Sequence, residues 1–190
     1  MGCRTRRTAG SSAHMVSRIS IDAHAPLAFT SDDHNFTVQV RGEVVRKLIS
    51  DAAYSYPQET GGVLIGRYDQ SHQIAFVEKL APQTPDSVRL RTSFIRGATK
   101  LVAFLKKLWK ASEPRLHYLG EWHTHPCGSP DPSARDCKTM WSIANNRRTL
   151  CPEPILVILA GDFKKCVDIG VYIFPRGREE LSLRPAEPGS

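Results

Sequence analysis

Three side chains near the middle of the chain have the types and spacing to hold a metal ion. His123 and His125 flank Thr124 in the run Gly120-Glu121-Trp122-His123-Thr124-His125-Pro126, and Asp136 follows His125 by eleven positions. In a strand, residues two apart share a face, so the two imidazoles point one way while Trp122 and Thr124 point the other. Two imidazoles and a carboxylate oxygen are ligands that zinc accepts, and three protein ligands leave a fourth tetrahedral position open for water, as in catalytic sites. Pro126 and Gly128 turn the chain back, and Ser133 opens a helix that presents Asp136. The last two residues also have a local explanation, because Ser-x-x-Asp matches a capping box. Ser133 can cap the helix and line the site together.

Hydrolysis at such a metal also needs a general base. Two carboxylates compete. Glu121 lies two residues before His123 on the same strand face, close enough to act directly or to support a ligand. Glu59 stands where a helix ends and the run Gly61-Gly62-Val63-Leu64 begins, beside glycines that let another backbone approach. Spacing does not choose between them. Cys127, next to the His-x-His-Pro run, reads as a small buried thiol, with an extra ligand or a redox switch as the rival.

The elements that must position these residues follow from periodicity. Phe36 to Val40 alternates as a strand does, and Val44, Val45, Leu48, Ile49, Ala52 and Ala53 recur at helical spacing before Pro57 stops the helix. Val63 to Gly66 and Ile74 to Leu80 read as strands, and Ser87 to Phe94 as extended chain. A second helix spans Lys100 to Ala111, with Leu101, Val102, Leu105, Leu108 and Trp109 inward. Leu116 to His123 is the strand that carries the histidines, and Ser133 to Asn145 a third helix. Ile155 to Leu159, apolar throughout, reads as a strand buried on both faces, and Val167 to Phe174 as the last strand. The mixture predicts an α/β fold, a central mixed sheet flanked by helices. Residues 28–184 form the domain. Residues 1–27 read as a flexible basic arm, in which Ala9 to Met15 resembles a cloning remnant, and 185–190 as a fraying tail.

Composition excludes several classes. No apolar run reaches the length of a membrane span, and no secretory signal opens the chain. Met1-Gly2-Cys3 invites a myristoylation reading, but Arg6 stands where Ser or Thr is required. Cys3, Cys127, Cys137, Cys151 and Cys166 are odd in number and show no CxxC pair, so they read as free thiols in a reducing cytoplasm. The net charge of +7 includes Arg4, Arg6, Arg7 and Arg18, ahead of or beside the first acid, Asp22. No basic stripe interleaved with aromatics argues for nucleic acid.

Glu59-Thr60-Gly61-Gly62, then His123-Thr124-His125-Pro126, then Ser133 and Asp136, resemble the motif of the JAMM (JAB/MPN) zinc metalloproteases over the span from Phe36 to about Phe174. The resemblance implies a cytidine-deaminase-like JAB/MPN domain with one zinc ion on His123, His125 and Asp136. It implies Glu59 as general base and Ser133 as donor to the oxyanion, leaving Glu121 and Cys127 as supporting candidates. Among members of the family, the chain is most similar to stand-alone bacterial deconjugating peptidases of CBASS anti-phage operons. The implied substrate is the C-terminal tail of a ubiquitin-like protein or of a conjugated cyclic-nucleotide synthase, with an E1/E2-like enzyme as functional partner. Processing of a ubiquitin-like or sulfur-carrier protein outside defence, and a non-catalytic scaffold, are the alternatives. A zinc deaminase would need H-x-E and Pro-Cys-x-x-Cys, and the chain has neither.

Overall fold

The structure is a computed structural model that describes residues 17–20, 25–113, 115–163 and 166–186. Its strands are β1 (Ser17–Ser20), β2 (Leu27–Ser31), β3 (Thr37–Val40), β4 (Gly61–Tyr68), β5 (Ile74–Leu80), β6 (Val88–Arg89), β7 (Phe94–Ile95), β8 (His117–Pro126), β9 (Ile155–Gly161), β10 (Cys166–Ile173) and β11 (Leu181–Pro185). Its helices are α1 (Gly42–Ser55), α2 (Leu101–Ala111) and α3 (Ala134–Asn145).

The sheet order β10-β11-β2-β3-β5-β4-β8-β9 returns to β10, because β9 also pairs with β10, so eight strands close into a barrel-like ring. β3–β5 and β8–β9 are parallel, and the other neighbours in the ring are antiparallel. The sheet is therefore mixed, as its sequence pattern predicts, but it is rolled rather than open. Two strands that the periodicity does not announce complete the roll. β2 starts at Leu27, the last residue of the expected arm, and β11 ends at Pro185, the first residue of the expected fraying tail; Leu183 of β11 is buried. Both strands are only five residues long, too short for alternation to stand out. β1, also within the expected arm, adds to β10 beside β11. Residues 1–16, 21–24 and 187–190, and with them Cys3 and the rest of the arm and tail, lie outside the described residues.

The apolar pattern explains the layers. Ile155, Val157 and Leu159 of β9 join the main core with Leu64, Leu119 and Trp122, to which α1 contributes Val44, Val45, Leu48, Ile49 and Ala52. The alternate residues Leu156 and Ile158 pack outward against Met140, Trp141 and Ile143 of α3. Each such side chain contributes about 1.5–3 kcal/mol when fully buried, which is why β9 carries no polar face. α2 covers Val63 and Ile65 of β4 with Leu101, Phe104, Leu105 and Leu108. Val102 and Trp109, expected on its inner face, are 62% and 45% exposed. The i, i+3, i+4, i+7 set starting at Leu101 is the face that packs, and these two residues lie on the next stripe.

Candidate metal centre

Strand parity places His123 and His125 as the spacing predicts. Trp122 is buried in the core and Thr124 is fully buried, so the intervening side chains hold β8 down while the imidazoles face a cleft of about 1000 Å³. Glu59, His123, His125, Ser133 and Asp136 all line this cleft. Gly61 pairs with His123 across β4–β8, and the ladder continues one step beyond. Thr124 N–H donates to Thr60 O (2.8 Å), and Thr60 N–H donates to Thr124 Oγ1 (2.9 Å). Glu59 is thereby carried to the strand that bears His123, from sixty-four residues upstream. Its own N–H donates to Leu90 O at 2.7 Å, tying it to the β6–β7 hairpin.

The three donors converge. His123 Nε2 and His125 Nε2 are 3.0 Å apart, and Asp136 Oδ1 and Oδ2 lie 3.5 Å from His123 Nε2 and 3.7 Å from His125 Nε2. The edge of a tetrahedron of ligands at about 2.0–2.1 Å from zinc is roughly 3.3 Å, so the spread of these donors fits such an ion. His125 Nδ1 lies 2.9 Å from Ser129 O. A carbonyl only accepts, so Nδ1 carries the proton and Nε2 presents its lone pair, the support that ligating histidines commonly have. Among the described residues, His123, His125 and Asp136 form the one cluster of three His, Cys, Asp or Glu groups able to hold a metal.

Both readings of Ser133 and Asp136 hold at once. Ser133 caps α3 in a capping box: its N–H donates to Asp136 Oδ2 (2.8 Å), its hydroxyl donates to the same oxygen (2.6 Å), and Asp136 N–H donates to Ser133 Oγ (3.2 Å). The cap occupies Oδ2 and leaves Oδ1 turned to His123. Burial alone would raise the Asp136 carboxyl, but hydrogen bonds from His123 and Ser133 and the charge of His123 hold it well below the ordinary range. Burial, with His123 alongside, pulls His125 down. An ionised carboxylate and a neutral imidazole are the forms that bind metals. Glu59 moves the other way. Burial raises it, reinforced by Asp136 and opposed by His123 and Arg135.

The two supporting candidates are placed elsewhere. Glu121 faces the cleft, but its Oε1 accepts from Arg96 Nη2 (2.9 Å) and Nε (3.0 Å) and from Tyr118 Oη (3.3 Å), so it fastens β7 to β8 rather than supporting a ligand. Cys127 is exposed, not buried as expected, because it sits at the turn with φ 63° and its thiol meets the Tyr56 hydroxyl at 3.7 Å. Cys137 and Cys151 are pushed up to about 12, chiefly by burial. Arg96, the Leu90 carbonyl and the Thr60–Thr124 pair are site features that sequence reasoning missed. The hairpin strands of two residues each carry no periodic signal that would have exposed them.

Residues 42–169 match the family model of prokaryotic homologs of the JAB domain. The chain belongs to this JAB family. A relative from Enterobacter hormaechei named CD-NTase/cGAS isopeptidase is 35% identical over 88% of this chain and 90% of its own length. One from Sinorhizobium fredii, named "Probable metalloprotease y4qB", is 27% identical over 62% of this chain and 72% of its own. A protein of Desulfitobacterium hafniense solved in solution shares the fold, with TM-score 0.50 and 19% identity over 78% of this chain and 88% of that one.

Proposed function

We propose that this JAB protein is a zinc-dependent isopeptidase. Its substrate is the amide bond joining the C-terminal tail of a cyclic-nucleotide synthase, or of a ubiquitin-like protein, to a target amine. The observation that carries this reading is the convergence of His123, His125 and Asp136 in one cleft with a half-buried Glu59. The name of the Enterobacter hormaechei relative supports the choice of substrate. The complete donor set favours an enzyme over a scaffold. Reversal of E1/E2-type conjugation in anti-phage defence, in the cytoplasm, is the setting we infer. Among the described residues Cys127, Cys137, Cys151 and Cys166 are free thiols, and no helix is long and apolar enough to cross a membrane.

Zinc held by His123, His125 and Asp136 would supply Lewis acidity and bring the pKa of a water close to neutral. Glu59 takes the proton from the water as its oxygen adds to the scissile carbonyl carbon, then delivers that proton to the departing amine nitrogen as the C–N bond breaks. A carboxylate raised toward neutrality serves both halves of this transfer better than an ordinary one. The Ser133 hydroxyl turns from Asp136 Oδ2 to the developing oxyanion, while the Ser133 N–H stays on that carboxylate and keeps it in place. One such donor contributes about 10²–10³ in kcat.

The test is cleavage of a synthase–target conjugate by wild type and Glu59→Gln, with zinc content measured in both. Glu59→Gln should keep its zinc and lose about 10²–10⁴ in kcat, the range for a general base. Full activity in Glu59→Gln would remove it from the mechanism, and wild-type protein that stays inactive when loaded with zinc would refute the function.

A further inference from the structure

The charges along the cleft are not evenly committed. Its acids are engaged: Glu121 by Arg96 and Tyr118, Asp136 by Ser133 and the two histidines, and Asp131 by the Tyr172 hydroxyl at 3.4 Å. Glu59 is reserved for the chemistry. Among the described residues, four cations line the same cleft, Arg91, Arg96, Arg135 and Lys138, and only Arg96 is neutralised by an ion pair. Arg91, Arg135 and Lys138 are exposed, and their charged groups make no hydrogen bond or ion pair with a described residue. They stand on both walls. Arg91 belongs to the hairpin loop between β6 and β7, whereas Arg135 and Lys138 are three apart on α3, a spacing that puts them on one helix face.

We propose that this cleft selects an acidic peptide, and that the acidic stretch lies in the C-terminal tail of the conjugated protein; the inference rests on the isopeptidase reading above. Fixed cations can be matched only to a segment that recurs in every substrate. The tail recurs, whereas the target side offers an amine on a long flexible arm. An extended tail turns successive side chains to opposite sides, so acids at neighbouring positions would meet the α3 wall and the hairpin wall in turn. Arg91, Arg135 and Lys138 are then specificity-determining residues. Arg91 and Lys138 act on tail binding, Arg135 on tail binding and also on the charge of Glu59, and Glu59 on the chemistry.

The experiment measures binding, so it does not depend on turnover. Fluorescent decapeptides with amidated C-termini carry Asp or Glu, their amides Asn or Gln, or Lys at matched positions, and are titrated by anisotropy into zinc-loaded Glu59→Gln protein. With exposed charge pairs each contributing a factor of about 1.4–5, the acidic peptide should bind about five- to tenfold tighter than the amide one, and the Lys peptide most weakly. Raising salt from about 0.1 M to about 1 M, which shortens the screening length from about 10 Å to about 3 Å, should close most of that gap. Lys138→Glu or Arg91→Glu should narrow or invert the order, whereas Lys106→Gln, a charge loss on exposed α2 surface, should leave it. Equal affinity for the three peptides, or an order unmoved by Lys138→Glu and Arg91→Glu, overturns the proposal. Wild-type cleavage of neutral-tailed conjugates as fast as acidic ones also overturns it while leaving the isopeptidase intact. Acid-selective binding without any cleavage does the reverse.

Discussion

Replacing Gly61 with Ala tests whether the β4–β8 register is what brings Glu59 together with His123, His125 and Asp136. A Cβ at Gly61 would lie 2.4 Å from Trp122 O, 2.7 Å from Phe94 Cε1 and 2.8 Å from His123 Cβ. Two of the three obstacles belong to β8 itself and the third to the hairpin. Ordinary contact begins at about 3.4 Å, so β8 must retreat by roughly 1 Å at the residue preceding His123. Overpacking of this kind costs about 1–3 kcal/mol, which at about 2–4 °C per kcal/mol for a domain of this size lowers Tm by about 2–12 °C. The protein should therefore stay folded at 25 °C. Activity should suffer more, since a misplacement of about 1 Å at a reacting group costs on the order of 10²-fold. The assay pairs thermal unfolding with kcat on a conjugate and with zinc content. Gly62→Ala is the comparator, because its nearest obstacle is the Trp122 indole nitrogen at 3.0 Å, and it should lose far less. If Gly61→Ala unfolds a few degrees early yet keeps wild-type kcat and full zinc, the register does not set the geometry of catalysis and the reasoning fails.

Two further outcomes follow from the ion pair and the histidines. Arg96→Met leaves the Glu121 carboxylate, whose side chain is 15% exposed, with only the Tyr118 hydroxyl; urea unfolding should show a loss of about 1.5–3 kcal/mol, the range for bonds to charged groups, and adding Glu121→Gln should recover part of it. In chelated protein, His125 and His117 both have folded pKa values below the ordinary 6.5, chiefly through burial. The unfolded chain then binds protons more readily, so stability is full above about pH 6.5 and is lost as pH falls toward the folded values; Tm scans from pH 8 to 5.5 should show that fall, flattened in His125→Gln, and a flat wild-type profile would contradict it.

How much of this could be read from residue order depends on the range of each interaction. His123 and His125 share a face because strand parity is local, and Ser133 and Asp136 meet because a capping box spans four residues. Both were legible. Glu59 was not, since only the pairing of Gly61 with His123 brings it near, and spacing left it level with Glu121 until the family motif decided. The roll of the sheet escaped for a related reason: β2 and β11 are short, and their pairing, Leu183 with Ser31 among others, joins segments about 150 residues apart. On α2 the heptad-spaced Val102 and Trp109 looked like core, yet the neighbouring stripe packs. At Cys127 the flanking Pro126 and Gly128 announce the turn, but not the positive φ at Cys127 or the outward side of the turn on which its thiol stands.

The closed ring also has a consequence for biosynthesis. β11 is the stave between β2 and β10, so the barrel lacks a piece until nearly the whole described chain has been translated. Before then β2 and the Val171–Ile173 end of β10 present unpaired strand edges, which in other proteins invite pairing with foreign chains. The nascent protein would hold β8, with His123 and His125, and then the core strand β9 before β11 emerges, but could not seal the cylinder beneath them. Its most exposed moment falls late, when the first strands have waited longest for the last.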